Sequence, residues 1–146
     1  MTFDDINNKN IYYFAYGMLT DPDYMGAAEL VGPAELNGFK FTLYMYANVE
    51  NNPGSKVVGA LWRIDQDLLD ELDMIEGYPS LYNRISVPVY AKGKMYKAQV
   101  YTMTSDTRKR LKNTYPSEHY IETIIKGYKH AGLNLDQLYN SLEELS

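Results

Sequence analysis

A period-two alternation recurs through the middle of the chain and constrains the fold more than any other feature. Phe39, Phe41, Leu43 and Met45 fall on one side, and Lys40, Thr42, Tyr44 and Tyr46 on the other. Successive side chains of an extended chain leave on opposite faces, so this pattern predicts a half-buried strand. Val57 to Ile64 reads as a second strand, with Gly59 allowing close backbone approach or a bulge. Ile85, Val87 and Val89 alternate again, with Pro88 directed away from them, which suggests an edge. Lys92-Gly93-Lys94 reads as a hairpin turn into a strand from Met95 to Met103. Ahead of these, Ile11-Tyr12-Tyr13-Phe14-Ala15-Tyr16 is an unbroken apolar and aromatic run ending at Gly17, the signature of a buried first strand entering a tight turn.

Helical signals lie between and after the strands. Asp21 can cap a helix whose first position suits Pro22, predicting a short helix to about Leu30 before Gly32-Pro33 breaks the chain. Asn51 to Ser55 reads as a loop. Asp65 is a second N-cap; Leu68, Leu69, Leu72 and Ile75 recur at helical spacing up to Glu76, and Gly77 stands where a helix-ending glycine belongs. The basic run Arg108 to Lys112 reads as a solvated loop. Ser117 caps a helix with Tyr120, Ile121, Ile124, Ile125 and Tyr128 on its apolar face, closed by Gly132, and a final helix covers about Leu135 to Leu145. After a polar segment at residues 1–10, residues 11–146 therefore read as one domain. Its class is α+β, a mainly antiparallel, barrel-like sheet with flanking helices.

Composition narrows the chemistry. The 146 residues include no cysteine, which excludes disulfides, thiolate metal sites and a cysteine nucleophile. The two histidines, His119 and His130, stand in no metal-ligand spacing, so no metal is expected. A net charge of −5 argues against nucleic-acid binding. No apolar stretch is long enough to span a bilayer, and the acidic start lacks a signal-peptide pattern, so a cytoplasmic protein is the expectation. The 15 tyrosines against 4 phenylalanines suit either the wall of a polar pocket or a half-buried sheet surface.

No nucleophile elbow, His-x-x-x-His pair or phosphate loop is present. What remains is Glu76, at a helix end where an ionised carboxylate faces the negative pole of the helix dipole. A carboxyl with a pKa raised toward neutrality is suited to proton transfer; an ordinary exposed glutamate is the alternative. The turn Tyr16-Gly17-Met18-Leu19 is the second feature. Successive backbone N–H groups there can form an anion-binding concavity, although many strands simply end in glycine.

Together these residues resemble the γ-glutamylcyclotransferase-like superfamily, which includes γ-glutamylamine cyclotransferases and avirulence-induced-gene-like plant proteins. The resemblance is carried by Phe14-Ala15-Tyr16-Gly17-Met18-Leu19, Val57-Val58-Gly59-Ala60-Leu61-Trp62, Leu72-Asp73-Met74-Ile75-Glu76-Gly77 and Tyr82-Asn83-Arg84. Pro116-Ser117-Glu118-His119-Tyr120, with Ile124, Gly127 and Gly132-Leu133 downstream, completes it in the family's order, over roughly residues 11 to 142.

The resemblance implies a cofactor-independent enzyme that releases 5-oxoproline from a γ-glutamyl amine, amide or peptide. The substrate's α-amino group attacks its own γ-carbonyl, and Glu76 is the implied general acid and base. It further implies that Tyr16, Gly17, Met18 and Leu19 bind the γ-glutamyl unit through the turn, with Tyr82, Tyr101 and Tyr120 lining the pocket. Arg84 would pair with a substrate carboxylate, or with Glu76 as a salt bridge inside the fold, and the alternative to a solvated loop for Arg108 to Lys112 is a role in holding an anionic leaving group. Family members acting on free γ-glutamyl amino acids usually carry Ser-Asn after Tyr-Gly. Met18-Leu19 resembles the Tyr-Gly-Thr-Leu branch instead, while the Pro-Ser-x-x-Tyr helix resembles the other. The competing reading is a binding protein that uses the same pocket without turnover. Oligomeric state is not legible.

Overall fold

The protein, in a computed structural model, is described over residues 11–26 and 28–145; the polar segment expected at residues 1–10 lies outside them. Five strands, β1 (Ile11–Ala15), β2 (Glu29–Tyr44), β3 (Tyr46–Ile64), β4 (Tyr82–Ala91) and β5 (Lys94–Met103), close into a barrel in the order β1-β3-β2-β4-β5. Every neighbouring pair is antiparallel except β1 and β5, which run parallel. Four α-helices among the described residues flank it: α1 (Gln66–Ile75), α2 (Ser105–Leu111), α3 (Glu118–Ala131) and α4 (Asp136–Leu145). The architecture is the α+β class with a mainly antiparallel barrel that the strand patterning predicts.

Alternation along β1 sorts the core into two layers. Phe14 and Tyr16 point into the barrel, where they meet Leu36 and Phe41 of β2 and Val57 and Leu61 of β3. Helices α3 and α4 add Ile124, Tyr128 and Leu138 to this cluster. Tyr13 and Ala15 point outward, where Trp62, Ile64 and Tyr101 pack with Leu69 and Leu72 of α1. Burying each such large apolar side chain contributes about 1.5–3 kcal/mol. Gly59 lets β1 and β3 approach closely: a Cβ there would sit 2.4 Å from the Ala15 carbonyl and 2.6 Å from the Phe14 ring.

The helix caps follow the sequence: Asp65 accepts from the Leu68 N–H, and Ser117 from the Tyr120 N–H. Elsewhere tertiary pairing overrides local signals. Asp21 does cap, accepting from the Asp23 N–H, but only a single 3₁₀ turn, Pro22–Tyr24, follows. The helix expected to reach Leu30 stops because Glu29 and Leu30 pair with Arg63 and Trp62 of β3. Gly32-Pro33 does not break the chain either; β2 runs through it, absorbing the disturbance as a register shift between Leu30 and Gly32. Residues 51–55 fall within β3, yet the pairing with β2 steps from Asn51 to Lys56, so the expected loop survives as an extrusion from a continuing strand. Met45 does not join Phe39, Phe41 and Leu43 in the core. It forms the turn between β2 and β3 at φ 65°, its N–H donating to the Thr114 carbonyl at 2.7 Å.

Pro88 marks no free edge, because the barrel is closed. It lies within β4, paired in register with Lys97 of β5. The basic run is helical rather than looped: Thr104 caps α2, accepting from the Thr107 N–H, and Arg108, Lys109 and Arg110 occupy its last turn, where cations are favoured. Ile75 is not a core residue; it is 53% exposed.

The close approach at Gly59 carries a testable cost. Replacing Gly59 with Ala forces β1 and β3 apart and should destabilise the protein by about 1–3 kcal/mol, read as a lower urea midpoint at unchanged m-value.

Candidate active site

One end of the barrel collects the C-terminal ends of β1 and β5, the tip of the β2–β3 hairpin and the start of β4. Helix α1 ends there and α3 begins there. A cavity of about 610 Å³ lies among these ends. Tyr16, Gly17, Met18 and Leu19 form one wall, and Tyr82, Tyr101 and Tyr120 line it from three other elements. Glu76, the residue that caps the C-terminus of α1, also lines it. Eight of the nine residues singled out from the sequence therefore share one cavity.

Arg84 is the exception. Two residues further along β4 than Tyr82, it sits opposite Tyr101, outside the cavity lining. Its Nε lies 3.0 Å from Asp73 Oδ1, and its Nη1 donates to Gln99 Oε1 at 2.9 Å. It pairs within the fold, and with Asp73 rather than Glu76. The same Asp73 oxygen accepts the Tyr101 hydroxyl at 2.6 Å, so Arg84 holds Asp73 and Asp73 holds Tyr101.

The turn after β1 is shaped by α3. The Thr20 and Asp21 N–H groups donate to the Gly17 and Met18 carbonyls, which winds Met18–Thr20 into a 3₁₀ turn. Gly127 of α3 lies flat against it: a Cβ there would sit 2.0 Å from Thr20 Oγ1 and 2.6 Å from the Asp21 nitrogen. Tyr128 donates its hydroxyl to the Tyr16 carbonyl at 2.6 Å. Gly17 is crowded in turn, since a Cβ there would meet Ala47 Cβ at 2.9 Å and the Tyr120 hydroxyl at 3.3 Å.

The tyrosine hydroxyls divide by what they already bind. Tyr16 donates to the Tyr101 carbonyl at 2.6 Å, Tyr82 to the Ala47 carbonyl at 2.9 Å, and Tyr101 to Asp73. These three protons hold the site together. Tyr120 is different. Its oxygen accepts from the Ala47 N–H at 2.9 Å and from the Met18 N–H, which leaves its own proton for the cavity. One N–H of the turn is thus already engaged by Tyr120. Tyr13 also lines the cavity. It is 3% exposed, packs edge-on against Tyr101 with ring centroids 5.8 Å apart, and its hydroxyl has no hydrogen-bond partner among the described residues. Sequence reasoning missed Tyr13, placing it in a buried strand. The available signal was parity: it leaves β1 on the face opposite Phe14 and Tyr16. Asp73 was missed as well, although it stands in the motif that marks Glu76.

Burial pushes the Glu76 carboxyl up to about 7. The sequence argument placed the cause in the helix dipole; loss of hydration is the cause here, because the side chain faces a cavity lined by tyrosine rings and aliphatic side chains. Its carboxylate makes no hydrogen bond or ion pair among the described residues. Burial also raises Tyr13, Tyr16 and Tyr82 well above the usual phenol range, with the Glu76 charge adding to each, so all three stay protonated near neutrality. The arrangement holds one proton-accepting group beside two hydroxyls, those of Tyr13 and Tyr120, whose protons remain available to an incoming oxygen. No group of residues suited to hold a metal ion occurs among the described residues, and no helix there is long and apolar enough to cross a membrane.

Residues 13–122 match the family "Gamma-glutamyl cyclotransferase, AIG2-like", and the chain belongs to that family. It is 29% identical to the gamma-glutamylcyclotransferase of Bos taurus, over 94% of this chain and 81% of that protein. A solved gamma-glutamyl cyclotransferase superposes with a TM-score of 0.71 at 26% identity, covering 92% of this chain and 85% of the other. YkqA from Bacillus subtilis superposes with a TM-score of 0.79 at 25% identity, covering 95% of this chain and 56% of that one.

Two measurements follow from the site's electrostatics. With a folded pKa raised above the unfolded value of 4.5, Glu76 binds its proton more tightly in the folded state. Stability is therefore lost as pH rises from about 4.5 through 7. Glu76→Gln removes that loss, so the variant should match wild type at pH 4 and exceed it by up to about 3 kcal/mol at pH 8 in paired thermal melts. Among the tyrosines, Tyr101→Phe strips a donor from Asp73 and should cost about 1–2 kcal/mol in urea unfolding. Tyr13→Phe breaks no hydrogen bond and should cost nothing measurable.

Proposed function

We propose that the protein is a γ-glutamyl cyclotransferase that releases 5-oxoproline from a γ-glutamyl amine, amide or peptide, with Glu76 as the proton-transfer group. The observation that carries this reading is an unpaired carboxyl, raised to about 7 by burial, in a cavity where the Tyr13 and Tyr120 hydroxyls keep their protons for a ligand. Such a group accepts and returns a proton near neutral pH. Family membership supports the reaction class.

Glu76 takes one proton from the α-ammonium of the γ-glutamyl unit. The freed amine attacks the γ-carbonyl carbon and closes a five-membered ring. As the bond to the departing nitrogen breaks, Glu76 gives that nitrogen the first proton. It then accepts the second proton, shed by the ring nitrogen, which leaves with the amine. Tyr13 and Tyr120 donate to the oxygen that gains negative charge, and the turn from Tyr16 to Leu19 shapes the wall against which the γ-glutamyl unit folds. Because the substrate carries its own nucleophile, much of the acceleration comes from holding it in the cyclising conformation. Arg84 is a positioning residue, acting through Asp73 and Tyr101.

The direct test is 5-oxoproline release measured by mass spectrometry over γ-glutamyl amino acids, γ-glutamyl-ε-lysine and simple γ-glutamyl amines. Wild type should turn over at least one of them, and Glu76→Gln should lose about 10²–10⁴ in rate. The base must be ionised, so kcat/KM should rise with pH through an apparent pKa near 7. Ligand-induced stabilisation without any release would instead favour a binding protein.

A further inference from the structure

Among the described residues, two charged side chains line the cavity, Glu76 and Arg110. Arg110 lies in the last turn of α2. Its neighbour Arg108 is tied to Glu50 at 2.8 Å, but Arg110 is exposed and makes no ion pair or hydrogen bond among the described residues. It stands where the cavity lining turns from buried to open. Tyr13, Tyr16, Tyr82 and Tyr101 are buried, whereas Ile75 and Leu81, which also line the cavity, are 53% and 43% exposed. Leu111, half-buried, continues this apolar rim. A free guanidinium beside apolar side chains at a cavity mouth is better placed to meet an anion than one surrounded by carboxylates.

A γ-glutamyl substrate has two ends. The γ-glutamyl unit must reach Glu76 and the buried hydroxyls, so the part that extends toward the rim is the departing amine. We propose that Arg110 is a specificity-determining residue that receives an anionic group on the departing amine, so that amino-acid or peptide leaving groups are favoured over neutral and cationic amines. This rests on the cyclotransferase reading above. Ile75, Leu81 and Leu111 would then contact the side chain of that amino acid.

The test compares three substrates that differ at one group: γ-glutamyl-alanine, γ-glutamyl-alaninamide and γ-glutamyl-ethylenediamine, which end in a carboxylate, a neutral amide and a cation. Wild type should prefer the first over the second by about tenfold in kcat/KM, the size of one charge-assisted hydrogen bond at a partly open site. Arg110→Ala should bring that ratio near one, and Arg110→Glu should shift preference toward the cation. Lys109→Ala removes a charge from the same helix outside the cavity and should keep the wild-type ratio. Equal losses on all three substrates in Arg110→Ala would overturn the proposal, placing Arg110 against the γ-glutamyl α-carboxylate or in the fold. A wild type without preference would overturn it too.

Binding of the same compounds to Glu76→Gln, with and without Arg110→Ala, separates the two readings. Selective binding with no turnover by wild type would sink the cyclotransferase reading and leave Arg110 as the selector. Turnover without selectivity would do the reverse. Neither binding nor turnover would overturn both.

Discussion

Helix α3 seated on the turn after β1 is the contact on which the rest of the site depends. Gly127 brings the helix backbone against Thr20 and Asp21, closer than any side chain permits. Tyr128, one residue on, donates to the Tyr16 carbonyl and accepts from Gln137, which in turn bonds both the N–H and the carbonyl of Val58. One chain of hydrogen bonds thus joins the turn after β1, β3, α3 and the start of α4. Two turns earlier on the same helix, Tyr120 is carried over Gly17 and Ala47, where it closes one wall of the cavity. The turn alone is short and has few ways to stabilise itself; its geometry is imposed by the helix above it.

The same economy governs the tyrosines. A buried hydroxyl without a partner costs free energy, and most here are satisfied by backbone carbonyls or Asp73. Those bonds give rigid walls. Tyr13 and Tyr120 keep protons that the fold does not use, and they lie around Glu76, the carboxyl of the cavity, which has no partner among the described residues. Stability and reactivity are divided between neighbouring residues of one type, and the division depends on which carbonyls the barrel end brings within reach. Glu76 sits at the junction. Exposed, it would be an ordinary glutamate at an unfavourable helix end. Walled by rings, it holds a proton near neutrality.

Much of this was legible before any coordinates. Alternation in Phe39 to Leu43 and the Asp65 and Ser117 caps each reflect interactions spanning a few residues, and each recurs in the fold. The predicted helix after Asp21 failed because Leu30 pairs with Trp62, a partner more than thirty residues away. Gly32-Pro33 was read as a break because a bulge can be recognised only once the second strand is known. Arg84 was assigned to the site by its motif, but its contact with Asp73 depends on how α1 lies across β4 and β5. Tyr13 was passed over because strand parity gives a direction without saying what lies in that direction.

The amino-acid sequence by itself determined the α+β class, most of the strands and the helices capped by Asp65 and Ser117, and, through the family resemblance, eight residues that share one cavity. It could do so because alternation, caps and turn residues act locally, and because the motif residues stand where successive strands and helices begin or end. Only the tertiary structure decided which of those residues still have a free proton, a free carboxylate or a free cation. That outcome depends on partners distant in the chain: Ala47 and Met18 for Tyr120, Asp73 for Tyr101 and Arg84, and the rings around Glu76. Hydrogen bonding and desolvation are properties of the assembled surroundings, so the chemistry of each side chain was settled by what folded against it.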